Sequence, residues 1–170
     1  SRASDAVGAG DLRGRTLIVL NESDLPGGAA GQRLLAHIRN GAMLFIVPGD
    51  RGSLGVTPEW QAVLPARIGT VVDRSAGRGG RWASVDFSNA LFEPFRAARA
   101  DFSSVTVSRY RALEPVPDSA QVIARLDDGA PLLVERPVGA GRILIWAGTL
   151  DPAWDDLPFH PLWGPFAHQL

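Results

Sequence analysis

Apolar residues occur in short runs separated by turns rich in glycine, proline and aspartate, and the period of those runs changes part-way along the chain. Residues 16–20 (TLIVL) form a continuous apolar run. It is too short for a helix and suits a strand covered on both faces. The NESDLPGG loop follows, with Asp24 as a candidate N-cap and Pro26 near a first helical position. Residues 29–40 then carry Leu34, Leu35 and Ile38 on one helical stripe, and Gly41 stands where a helix stops. A second apolar run, MLFIV at 43–47, ends at Pro48-Gly49. Strand, helix and strand within about thirty residues predict a βαβ unit, with parallel strands and a right-handed crossover.

The middle of the chain is less regular. The pattern predicts a short helix at 59–64 and strands at 68–72 and 82–87 around the SAGRGG stretch. A turn and a helical fragment are expected over 89–98. Beyond that point the period becomes two, which predicts strands at 105–110, 121–126, 132–136 and 143–146. Asp127-Asp128-Gly129 and Gly139-Ala140-Gly141 are strong turn signals between them. The last run, ILIWAG, is apolar on both faces and belongs in the middle of a sheet. Residues 161–170 read as a closing helix.

Composition narrows the classes further. A chain of 170 residues fits a single domain, 1–170 with a loose lead-in over 1–14, and at this size about 70% of the unfolded surface can be buried. The 45% hydrophobic and 21% charged residues exclude a disordered chain. A formal net charge of −1 argues against nucleic acid and against a polybasic membrane surface as partners. All 17 basic residues are Arg, which reads as composition and not as a binding code. The absence of Cys rules out disulfides, thiolate metal sites, iron–sulfur clusters and a cysteine nucleophile. It leaves the redox compartment open. No apolar run approaches the 18 or more residues of a spanning helix, so no direct membrane insertion by this segment is expected.

Two loops could carry chemistry. Gly49, Asp50 and Arg51 follow the second βαβ strand, at the end of an α/β sheet where ligands bind. They read as a charged site or as a turn with a solvated ion pair, and the turn is preferred because no nucleophile–base pair accompanies them. In the tail, Asp151, Asp155, Asp156 and His160 could hold a hard divalent cation. The prolines and Trp154 favour an ordered clasp instead, in which aspartates cap backbone amides. Gly27-Gly28-Ala29-Ala30-Gly31 lacks both the Lys-Ser/Thr of a P-loop and the spacing of a dinucleotide fold. His37 and His168 have no partner by sequence, and the five scattered Trp residues suit packing more than a binding platform. No catalytic, cofactor or metal residue is assigned.

The series RGRTLIVLNESDLP, QRLLAHIRNGAMLFIVPGDR, NALFEPFRAARA and GRILIWAGTLDPAWDDLPFHPLWGPFAHQL carries a resemblance. Over residues 12–170 it resembles the glutamine-amidotransferase-like domain of bacterial aerotolerance (Bat-type) membrane proteins. The resemblance implies an α/β fold related to flavodoxin: a mixed, mostly parallel central sheet with helices on both faces, plus an antiparallel β extension. It implies a soluble fragment of a longer, membrane-anchored protein, with the side of the membrane left open and the periplasmic side preferred, and with other proteins or von Willebrand A-type or membrane domains of the same chain as partners. It also places a nucleophile elbow near Gly49-Asp50-Arg51, where no Cys or Ser stands; Ser53 is the nearest hydroxyl. At Trp163-Gly164 the chain departs from the family pattern. The expected function is therefore a non-catalytic interaction or scaffolding domain, with Gly49, Asp50, Arg51, Asp151, Trp154 and Asp155 as degenerate-site or interaction residues. The rival is a hydrolase or carbohydrate-associated module that uses Asp50 and Asp151 as its acid and base.

Overall fold

The computed structural model describes residues 12, 14, 16–50, 54–97, 100–116, 118–150 and 152–170. Strand β1 (Leu17–Asn21), helix α1 (Gly28–Arg39) and strand β2 (Met43–Val47) form the βαβ unit that the spacing predicts, and β1 and β2 pair in parallel with Val19 opposite Phe45. Helix α1 buries Leu34, Leu35 and Ile38 on the expected stripe. It is capped by Gly27 and not by Asp24, and its N-cap makes no side-chain hydrogen bond. Gly41 takes φ 114°, which ends the helix and turns the chain into β2.

The later elements are α2 (Pro58–Gln61), β3 (Ala66–Asp73), β4 (Gly80–Val85), α3 (Glu93–Ala97), β5 (Thr106–Val107), β6 (Arg109–Pro115), β7 (Gln121–Leu126), β8 (Pro131–Val138), β9 (Gly141–Trp146) and α4 (Trp163–Gln169). Seven strands build the main sheet in the order β1-β2-β9-β8-β7-β4-β5, and β3 pairs with β6 in a separate two-stranded sheet. The run ILIWAG does return to the sheet, where β9 pairs in parallel with β2.

This architecture corrects the expected fold class. Only β1–β2 and β2–β9 are parallel; β9–β8, β8–β7, β7–β4 and β4–β5 are antiparallel. The physical reason lies in the connections. A parallel crossover needs a dozen or more residues, and the turns at 127–130 and 139–140 allow only hairpins. Nor do helices cover both faces: among the described residues α1 has 12 residues and no other α-helix exceeds 7. The molecule is mostly β, with a mixed sheet and a second antiparallel sheet. It is not a flavodoxin-like layered sheet. Strand β1, expected to be covered on both faces, is at the sheet edge, and its Val19 is exposed.

The predicted strand at 105–110 is two strands in two sheets. The chain changes sheet at Ser108, whose amide and hydroxyl both donate to the carbonyl of Trp154. That contact belongs to a clasp. Residues 154–156 run along β5, where Val107 bridges to Asp155, the Thr106 amide donates to Asp156 Oδ1 and the Asp156 amide returns to the Thr106 carbonyl. The clasp covers the free edge of β5, and the following α4 seats Phe166 in the core. There Phe166 meets Trp146 and Phe92, while Trp82 stacks on Phe102 with ring centroids 5.0 Å apart and tilts against Trp146 at 5.6 Å. Trp60, Trp82, Trp146 and Trp154 are all buried, in line with the packing role expected of most of the Trp residues.

Trp154 is 4% exposed, so its truncation removes a large apolar face from the clasp. Trp154→Ala is expected to cost on the order of 3 kcal/mol in urea unfolding. Phe159→Ser, at an exposed position a few residues on, is expected to fall within about 0.5 kcal/mol of the parent.

Candidate functional site

The carboxyl ends of β1, β2 and β9 meet at one end of the sheet, and the sequence places its candidate site there. Pro48 ends β2, and Gly49 follows with φ 57°. Glu22, just past β1, also takes a positive φ (48°), and its amide donates to the carbonyl of Val47. Its carboxylate lies directly on Gly49, where a Cβ would meet Oε1, and the positive φ there favours glycine. From the second sheet comes Arg111, on β6 and 4% exposed. Its Nε and Nη2 donate to the carbonyl of Gly49 at 3.2 and 2.9 Å, and its Nη1 donates to Gly69 at 3.1 Å. The amide of Arg111 donates to the carbonyl of Ala147, just beyond β9. The buried guanidinium thus ties the end of β2 to the middle of β3, and the Arg111 amide adds the end of β9.

The other expected site residues divide between this region and the clasp. Gly49 is buried and Asp50 is exposed beside it. Arg51, Ser53 and Asp151 lie outside the described residues, and so does the expected Asp50–Asp151 pair. Trp154 and Asp155 are buried in the clasp, where Asp155 Oδ1 accepts from the amide of Leu157 at 3.1 Å. His160 Nε2 lies 2.9 Å from the hydroxyl of Ser104. Among the described residues no group of three or more His, Asp or Glu side chains converges as a metal site.

A second region was not anticipated. At the opposite end of the same three strands lies a cleft of about 600 Å³, lined among others by Met43, Gln121, Glu135, Arg142 and Leu170. Two glycine turns build its floor. The amide of Ala140 donates to the carbonyl of Arg39, and Gly141 packs so closely on the carbonyls of Ile38 and Ala42 that no Cβ would fit. Glu135 is largely buried; its Oε2 accepts from Asn89 Nδ2 at 2.6 Å and its Oε1 from Arg142 Nη1 at 3.1 Å. The available signal was a lone carboxylate inside the apolar strand PLLVERPV. Its partner Arg142 lies across the β8–β9 hairpin that the glycine turn predicts, but Asn89 comes from a turn 46 residues away, which no local pattern links.

Comparison of the sequence with protein-family models and with curated proteins finds no match to either. The fold, however, has solved counterparts. The chain is similar to two proteins of Salmonella typhimurium described as cytoplasmic. STM3548 aligns with a TM-score of 0.78 at 15% identity, over 98% of this chain and 75% of that one. STM1381, of strain LT2, aligns with a TM-score of 0.67 at 16% identity, over 99% and 72%. A β-galactosidase from Rahnella sp. R3 matches with a TM-score of 0.56 at 17% identity, over 98% of this chain and 24% of that one. At these identities the likeness is one of fold alone. These counterparts and the β-rich mixed sheet overturn the resemblance to glutamine-amidotransferase-like Bat-type domains, with its aerotolerance and membrane-anchor implications. The quoted motifs mark a βαβ start and a Gly-Arg strand, which many sheets share. No helix among the described residues is long and apolar enough to cross a membrane.

The buried guanidinium makes a direct prediction. Arg111→Met leaves the carbonyls of Gly49 and Gly69 without these donors and is expected to cost roughly 3 kcal/mol in chemical denaturation. Asp50→Asn is expected to be neutral within about 0.5 kcal/mol.

Tyr110, also on β6, offers a spectroscopic check because it is the only tyrosine in the sequence. Its hydroxyl donates to Asp128 Oδ2 at 2.8 Å. Burial, followed by that hydrogen bond and the Asp128 charge, pushes its pKa up to about 12. The neutral phenol is the favoured form in the fold. Its contribution to stability is therefore complete below pH of about 10 and is lost as pH rises through about 12. A tyrosinate absorbance titration is expected to show this late midpoint, with Asp128→Asn moving it part of the way back toward the ordinary value.

Proposed function

We propose that this chain is a non-catalytic protein-interaction domain, and the observation that carries the reading is Phe159. This aromatic ring is 77% exposed on a short 3₁₀ turn, Leu157–Phe159. The turn is held from both sides. The Phe159 amide donates to the carbonyl of Asp156, the His160 amide donates to that of Leu157, and Leu157 beneath is fully buried. Pro158 and Pro161 flank the ring and restrict the backbone further. An aromatic side chain on a pre-ordered turn loses little entropy when it docks, which is the character of an interface hot spot.

The state of the strand ends supports the same reading. Where α/β enzymes open a site, Glu22 lies on Gly49 and the Arg111 guanidinium binds backbone carbonyls. The carboxylates of Asp73, Asp86 and Asp101 are held below their ordinary pKa, chiefly by neighbouring serine hydroxyls, and that of Asp127 chiefly by Arg74. That direction is opposite to what a general acid near neutral pH needs. In the Rahnella β-galactosidase this fold spans 24% of a longer chain, a size consistent with an accessory part of a larger protein. The partner is another protein or another domain of the same polypeptide.

A photo-reactive phenylalanine analogue at position 159 is expected to cross-link the full-length protein to one discrete protein partner in cells. The same analogue at Val56, another exposed apolar position, is expected to give no such adduct. No adduct from position 159, or hydrolysis of chromogenic glycosides that disappears in Asp50→Asn, would reverse the assignment in favour of a hydrolase.

A further inference from the structure

We infer that the cleft between the α1–β2 turn and the β8–β9 turn is a binding site for a small neutral polyhydroxy ligand, of the pyranose class. The inference concerns the opposite end of the sheet from the Gly49 region and does not rest on the interaction reading.

Its size is the first argument: about 600 Å³ falls in the range of small-molecule sites. The second is its charge. Glu135 and Arg142 form a pair with Oε1 and Nη1 3.1 Å apart, and Asn89 donates 2.6 Å away to the other carboxylate oxygen. The two formal charges cancel within the cleft. An anion would have to approach Glu135 and a cation would have to approach Arg142, so neither sign is favoured.

The third argument is the hydrogen-bonding inventory. Among the described residues each carboxylate oxygen of Glu135 accepts from one donor and has a second lone pair, and Arg142, one-third exposed at its side chain, has donors beyond Nη1. Gln121 donates Nε2 to Asp86 Oδ2 at 2.6 Å, which fixes its amide and leaves Oε1 as an acceptor at the rim. Adjacent acceptors and donors across a neutral site match vicinal hydroxyls, each of which both donates and accepts. Met43 and Leu170 supply apolar surface for the C–H face of a sugar ring. The floor is pre-ordered, because Asn89 is itself held by the Leu91 amide and the two glycine turns are locked to each other. Little reorganisation is then needed on binding.

The test is a titration of the isotope-labelled chain with methyl pyranosides (gluco, galacto and manno), glycine and inorganic phosphate, followed by amide chemical shifts. At least one pyranoside is expected to shift the amides of Gly41, Gly141 and Arg142 saturably, with Kd of about 1 mM. Arg142→Met is expected to weaken binding about tenfold. Gln121→Ala, at an exposed position that leaves the fold intact, is expected to weaken it about threefold. Absence of saturable shifts up to about 50 mM of every pyranoside would overturn the proposal. So would preferential binding of glycine or phosphate, or unchanged affinity in both variants.

Discussion

A buried guanidinium holds the two sheets of this protein together. Arg111 sits on β6 of the small sheet, and its side chain reaches the carbonyl of Gly49 beyond β2 and that of Gly69 on β3, while its amide reaches Ala147 beyond β9. A guanidinium is one of the few side chains that can satisfy several carbonyls at once, because its donors lie in one rigid plane. Taking such a charge out of water costs several kcal/mol unless hydrogen bonds replace the lost hydration. The backbone around it is shaped accordingly. Gly49 has a positive φ and no Cβ, and Glu22 turns back over it from β1. The joining of the sheets therefore shapes the backbone at this end of the parallel strands.

The opposite end of the same strands is built by different means. There the chain turns on glycines, and the α1–β2 and β8–β9 turns approach each other through backbone hydrogen bonds. Polar side chains are left to line the space between them, with Glu135 satisfied by Asn89 and Arg142. One sheet thus carries a carbonyl-bound guanidinium at one end and a cleft at the other. The clasp adds a third specialised surface: it covers the edge of β5 through backbone pairing and presents Phe159 outward. Strand β1, at the other edge, has no comparable cover among the described residues, and its side chains are only partly buried.

Much of the local structure was legible in the chain. The βαβ start, the stripe on α1, the glycine stop, the hairpin turns and the two-faced apolar run of β9 all follow from local periodicity and turn chemistry. Those signals are local because the helix period of 3.6 and the strand period of 2 need only neighbouring residues. The resemblance and the fold class failed where they extended a local unit to the whole sheet. A βαβ start looks the same whether the rest of the sheet is parallel or built from hairpins.

The sequence by itself determined roughly where most of the elements lie, the packing role of most Trp residues, and the absence of thiol chemistry. Tertiary structure alone decided which strands became neighbours, that 105–110 divides between two sheets, and that β1 is an edge. It also decided that Arg111 and Gly49, 62 residues apart, would meet, as would Asn89 and Glu135, 46 residues apart. The physical reason is that such pairs are selected by the closing of the whole core. Hydrogen bonds between residues far apart in the chain form only where burial has already brought their backbones together, and no local pattern of polar and apolar positions records that choice.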